Sequence, residues 1–108
     1  MVTAGIDIGM LWTKAVVLDD RKVRGWNVSL TGDNANAAAE RALQAALDSS
    51  GMARGDLHVV VATGAGKGDA GCADRQAAEI VWLATGARFV RADASGVIDM
   101  GGESTLVV

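Results

Sequence analysis

"GIDIGMLWTK", residues 5–14, ends an apolar strand on an acid, turns on a glycine, and then places three large apolar side chains in the turn. A solvated turn normally carries small polar residues there. Over residues 2–8, Ala4, Ile6 and Ile8 alternate with Thr3, Gly5 and Asp7, the period of two that marks a strand with one covered face. "TKAVVLD" (13–19) reads as its hairpin partner. After the polar turn "DDRK", "VRGWNVSL" (23–30) reads as a third strand, so the chain opens on a meander.

Farther along, the periodicity changes. From Asp33, read as an N-cap, Ala35, Ala39, Ala42, Leu43, Ala46 and Leu47 recur at helical spacing, with Glu40, Arg41, Gln44 and Asp48 off the stripe and Gly51 as the stop. "LHVVVATG" (57–64) is a short β-branched run of the buried, parallel-strand type, and it empties into a glycine loop. A second helix is predicted from Asp69 to Gly86, carrying Ala73, Ala77, Ile80, Val81 and Ala84 on one side. "RFVR", "GVIDM" and "TLVV" read as short strands. The order β-β-β-α-β-α-β-β implies an α/β fold, a mixed β-sheet with flanking helices.

Composition bounds what such a lobe does. At 108 residues and 50% hydrophobic, the chain has the length of a single domain, 1–108, with material for a real core. Its lone Cys72 forms no internal disulfide, which suits a reducing compartment, and the single His58 brings no second metal ligand. A net charge of −3 without a basic cluster argues against nucleic acid as a partner. No charged-then-apolar leader is visible, nor an apolar run near the roughly 20 residues of a membrane span, so the expectation is a cytoplasmic protein with no membrane partner. Fourteen glycines and no proline suggest turns made by freedom in φ.

A repeat carries the chemistry. Residues 7–17, "DIGMLWTKAVV", and 99–108, "DMGGESTLVV", both read Asp, apolar, Gly, three residues, Thr and then a β run. Each unit is a strand, a tight turn and a returning strand, with the acid at the strand's carboxyl end. Two such units in one sheet present successive N–H groups to a polyphosphate, while two carboxylates hold a hydrated magnesium ion. A single Asp-x-Gly is also ordinary hairpin chemistry.

Four stretches together, "GIDIG…TKAVVLD", "VVVATGAGKG", "ADRQAAE…ATGA" and "VIDMGGES", resemble the first lobe of the activator ATPases of 2-hydroxyacyl-CoA dehydratases and benzoyl-CoA reductases. That family belongs to the actin/sugar-kinase/heat-shock ATPase superfamily, with a ribonuclease H-like lobe. The resemblance implies an N-terminal phosphate-binding lobe, an ATP site with Mg2+ between two lobes, and a homodimer or protein partner to which electrons pass. It places Asp7 and Gly9 in the first phosphate motif, Lys14 as its following lysine, and Asp99, Gly101 and Gly102 in the second. Gly64, Gly66 and Lys67 match a Gly-rich stretch, and Asp74 and Glu79 match acids on the helix after it. Asp7 and Asp99 are the expected catalytic and magnesium residues.

Departures from the family pattern are specific. Met10 and Leu11 stand where Ser or Thr usually follows the first Asp-x-Gly, and a Ser-Glu pair and a His appear as Ala78, Glu79 and Leu83. The family's adenine-binding lobe and its iron–sulfur cysteines lie downstream of the second phosphate motif, so no cluster is expected from this chain alone, and Cys72 matches neither cysteine. "GAGKG" is not a P-loop, since position 61 is Val and Lys67 precedes Gly68. Several readings stay paired. The glycine loop approaches phosphates or is a plain connection; Lys14 reaches phosphate or protects a sheet edge. Asp74 and Glu79 are catalytic acids or solvated helix charges, and Cys72 is an activated thiol at a helix start or a small core residue. The Met10-Leu11-Trp12 turn is a docking surface or folds inward. The alternative function is a non-enzymatic scaffold that keeps the lobe, with a sugar or acyl kinase fragment ranked behind both.

Overall fold

The computed structural model describes residues 1–78, 98–100 and 105–107, which belong to two compact units, Met1–Gln76 and Ala77–Val108. In the first, β1 (Val2–Ile8), β2 (Trp12–Asp19) and β3 (Lys22–Leu30) form the expected meander, followed by α1 (Ala35–Ser50), β4 (Val59–Thr63) and β5 (Arg75–Gln76). The sheet order is β3-β2-β1-β4-β5. β1 pairs antiparallel with β2 and parallel with β4, and β4 pairs parallel with β5, so the sheet is mixed. The connection through α1 crosses from the β3 edge to β4, over β2 and β1.

That crossing explains the sequence pattern. Ala4, Ile6 and Ile8 of β1, Ala15 and Val17 of β2, and Val60 and Ala62 of β4 all face α1, whose stripe of Ala39, Ala42, Leu43, Ala46 and Leu47 closes the core. Alanines let the helix lie close to the sheet. At Gly25 of β3 the approach is so near that a Cβ would sit 2.3 Å from the Ala46 carbonyl oxygen. α1 is capped by Asn34, whose side chain accepts from the Ala37 N–H at 2.9 Å; the cap falls one residue later than the Asp33 expected. Gly51 ends the helix as predicted.

The predicted second helix does not begin at Asp69. Residues Lys67–Asp69 form a single 3-10 turn, and the chain then turns again and adds β5 to the sheet. Asp74 fastens this addition: its N–H donates to the Val60 carbonyl and its carboxylate accepts from the Val60 N–H, both at 2.8 Å. The remainder of that predicted helix, with Glu79 and Leu83, and the "RFVR" strand lie outside the described residues. In the second unit, β6 (Ile98–Met100) pairs antiparallel with β7 (Thr105–Val107), which agrees with strands expected at "GVIDM" and "TLVV". Among the described residues no helix is long and apolar enough to cross a membrane.

Candidate functional site

Parallel strands end together, and in open α/β sheets their carboxyl ends are where ligands collect. At the shared lip of β1 and β4, Asp7 is paired with Lys14 on one side and Thr63 on the other. The Asp7 carboxylate lies 3.8 Å from the Lys14 ammonium. Both groups reach solvent, so this ion pair by itself is worth under about 1 kcal/mol. β2 lies inside the sheet, which removes edge protection as a role for Lys14.

The glycine loop after β4 folds onto this carboxylate. Gly64 has φ +90°, in the left-handed region that side chains resist, and a Cβ there would meet both Asp7 Oδ1 and the Ile8 carbonyl oxygen at 2.5 Å. Backbone therefore comes into contact with the acid. The Gly66 N–H donates to the Ile8 carbonyl at 3.0 Å, and the Lys67 N–H donates to the Gly64 carbonyl at 3.2 Å. Six of the residues singled out in the sequence, Asp7, Gly9, Lys14, Gly64, Gly66 and Lys67, thus gather around one strand end. The loop is tied by its backbone to the end of β1.

The first turn is held from below. Gly9 N–H bonds to the Trp12 carbonyl at 2.9 Å, and the Thr31 hydroxyl donates to the Gly9 carbonyl at 2.8 Å. Thr31 also shares a buried 2.8 Å hydrogen bond with the Thr13 hydroxyl. The threonine of the first repeat is therefore a structural clamp. Above it, Met10 and Leu11 are 64% and 55% exposed, which overturns the inward-folding reading.

Two site residues escaped the sequence. Thr31 carries no signal beyond its place at the end of β3. Thr63 is buried, and its Oγ1 has no hydrogen-bond partner. Asp74 is not a helix acid but a clamp between β4 and β5. Cys72 is half-buried against the core, and burial, reinforced by the charge of Glu40, pushes its thiol above the ordinary range. That is the small-core-residue reading; an activated thiol would be shifted the other way.

Among the described residues no group of three or more His, Cys, Asp and Glu could cage a metal. Magnesium does not require one, since it is commonly held through one or two carboxylates, several waters and the phosphates of a nucleotide. Asp7 offers one carboxylate of that kind at the end of β1. Asp99 lies in β6, its backbone opposite Leu106, while Gly101 and Gly102 fall outside the described residues.

Comparison with known proteins gives this arrangement its context. Residues 4–108 match the BadF/BadG/BcrA/BcrD ATPase family. The chain belongs to that family. It is 36% identical, over its whole length, to the activator of lactoyl-CoA dehydratase from Anaerotignum propionicum, of which it covers 42%. The crystal structure of the Acidaminococcus fermentans (R)-2-hydroxyglutaryl-CoA dehydratase component A superposes with a TM-score of 0.93 at 29% identity, covering 100% of this chain and 42% of that one. The activator of 2-hydroxyisocaproyl-CoA dehydratase from Clostridium difficile, with bound ADPNP, superposes with a TM-score of 0.89 at 30% identity, covering 99% of this chain and 40% of that one. The chain thus spans about two fifths of the length of the relatives it matches. It resembles the first, ribonuclease H-like lobe of the dehydratase activators, an actin-type ATPase fold.

Proposed function

We propose that this lobe binds the triphosphate of ATP together with Mg2+ at the lip of β1 and β4. Nucleotide binding or hydrolysis is then coupled to electron transfer in a partner enzyme of the 2-hydroxyacyl-CoA dehydratase or benzoyl-CoA reductase type. One observation carries the reading: at Gly64 the loop backbone is pressed against the Asp7 carboxylate, an arrangement only glycine allows. Asp7 would hold the hydrated ion, directly or through water, with the backbones at Gly9, Gly64 and Gly66 toward the phosphates; the family resemblance adds Asp99 as the second ion residue and Gly101 and Gly102 as its phosphate turn. Lys14 and Lys67 supply positive charge. Residues 1–108 act as one phosphate-binding domain, completed by a second lobe or a partner, in the cytoplasm. Met10 and Leu11 contribute backbone alone, so hydroxyl assistance to phosphate is missing from the first turn.

Calorimetry with Mg·ATP tests this. The Asp7→Asn, Asp99→Asn double variant is expected to bind at least about tenfold more weakly than the native chain, the loss of one charge-assisted contact. Indistinguishable heats at millimolar nucleotide would sink the proposal.

A second reading, a scaffold or homodimeric interaction module on the same lobe, is favoured by a different observation. Leu11, Trp12, Trp26 and Leu30 are all exposed, at 55%, 46%, 65% and 55%. Light scattering separates the two, since a concentration-independent monomer that binds ATP disfavours the scaffold.

A further inference from the structure

Thr63 closes a strand that is otherwise apolar: "VVVAT" runs through three valines and an alanine before it. Its side chain is 0% exposed, and its hydroxyl oxygen is buried without a hydrogen-bond partner. A buried hydroxyl left unpaired loses its hydration with nothing in return, and valine would fill the same space without that loss. The two other orphaned oxygens among the described residues, on Asn27 and Ser29, belong to β3, two strands away from Asp7. Thr63 stands beside it: the two are register partners on parallel strands, about 4.8 Å apart in the pairing direction. Gly64, the next residue, presses on the Asp7 carboxylate.

We infer that the Thr63 hydroxyl is kept for the ligand: it donates to an oxygen, phosphoryl or metal-bound water, of the magnesium–triphosphate unit held beside Asp7. The inference rests on the phosphate-binding reading of this lip and adds a positioning residue to it. Unpaired in the free protein, the hydroxyl gains its partner when nucleotide arrives, so stability is given up in the empty state and affinity gained in the filled one. Stability and binding therefore move in opposite directions when the hydroxyl is removed, which a merely structural threonine would not do.

Thermal unfolding of the ligand-free full chain and calorimetry with Mg·ADPNP, on the native protein and on Thr63→Val, Thr63→Ser and Asp7→Asn, test this. Thr63→Val is expected to raise the ligand-free Tm by about 4 °C and to bind Mg·ADPNP about tenfold more weakly. Thr63→Ser keeps the hydroxyl and loses a methyl, so its Tm falls while native affinity is retained. If Thr63→Val binds as tightly as the native chain while Asp7→Asn does not, this inference fails and the phosphate-site reading stands. Equal weakening in Thr63→Ser, or a Thr63→Val chain that melts earlier than the native one, assigns the hydroxyl a structural role and also overturns it. A native chain that gives no binding heat removes the phosphate site and the inference together.

Discussion

At Gly64 the backbone adopts φ +90° with the Asp7 carboxylate and the Ile8 carbonyl 2.5 Å from where a Cβ would be. Gly64→Ala therefore combines a left-handed conformation with a clash against the Ile8 carbonyl, a backbone group that cannot swing away, and forces the Asp7 carboxylate aside; it is expected to cost about 3 kcal/mol. Urea denaturation reads this directly as a lowered midpoint, and an unchanged midpoint would mean the loop does not approach the acid as described. Much at this scale was legible beforehand. Asp7, Gly64 and Lys14 stand out in the sequence as an acid, a permissive turn and a cation near strand ends, and the structure brings the three together. Thr63 and Thr31 do not stand out, since a threonine in a strand is ordinary and only its partners, or their absence, distinguish clamp from ligand group.

Elements were legible where periodicity was long. The meander and α1 follow from alternation and a six-residue apolar stripe, and the cap shifted by one residue because Asn34, not Asp33, reaches the N–H at Ala37. The second helix failed between Asp69 and Ala78 for a physical reason. Its alanines favour helix, but Gly64, Gly66, Gly68 and Gly71 weaken local propensity, and Asp74 joins the chain to β4 at Val60 through two hydrogen bonds. Sheet pairing outweighed composition. The contact between α1 and β3 gives a second test in which propensity and packing disagree. In an open strand Gly25→Ala would gain about 0.5–1 kcal/mol. Here the added Cβ would lie 2.3 Å from the Ala46 carbonyl oxygen and 2.9 Å from the Ser50 nitrogen, both helix backbone. The helix must move outward, so the variant is expected to be less stable by about 1–3 kcal/mol in thermal unfolding. A stabilised Gly25→Ala chain would show that the helix is not held against the sheet at this point.

On the scale of the molecule, the sheet's two faces differ. One is covered by α1; the other carries Trp12 opposite Leu30 and Val16 opposite Trp26, with Val28 between them beside Lys14. Trp26 is 65% exposed, and the row continues into Met10 and Leu11 of the turn. Among the described residues β3 is also an edge strand, with no strand paired on its outer side, so apolar surface and a sheet edge coincide. Aromatic residues of this kind are the usual anchors of protein interfaces. The expectation is that light scattering of the native chain gives an apparent mass rising with concentration, whereas Trp26→Lys, Leu30→Lys stays at the mass of one chain. Both positions are exposed, so circular dichroism should be unchanged. Salt identifies the force involved: sulfate strengthens apolar association, whereas ion-pair association weakens as ionic strength rises. Because these residues lie on β3, two strands from Asp7, the double variant should keep its Mg·ATP affinity, and a parallel loss of nucleotide binding would mean that the exposed face and the phosphate lip are not independent.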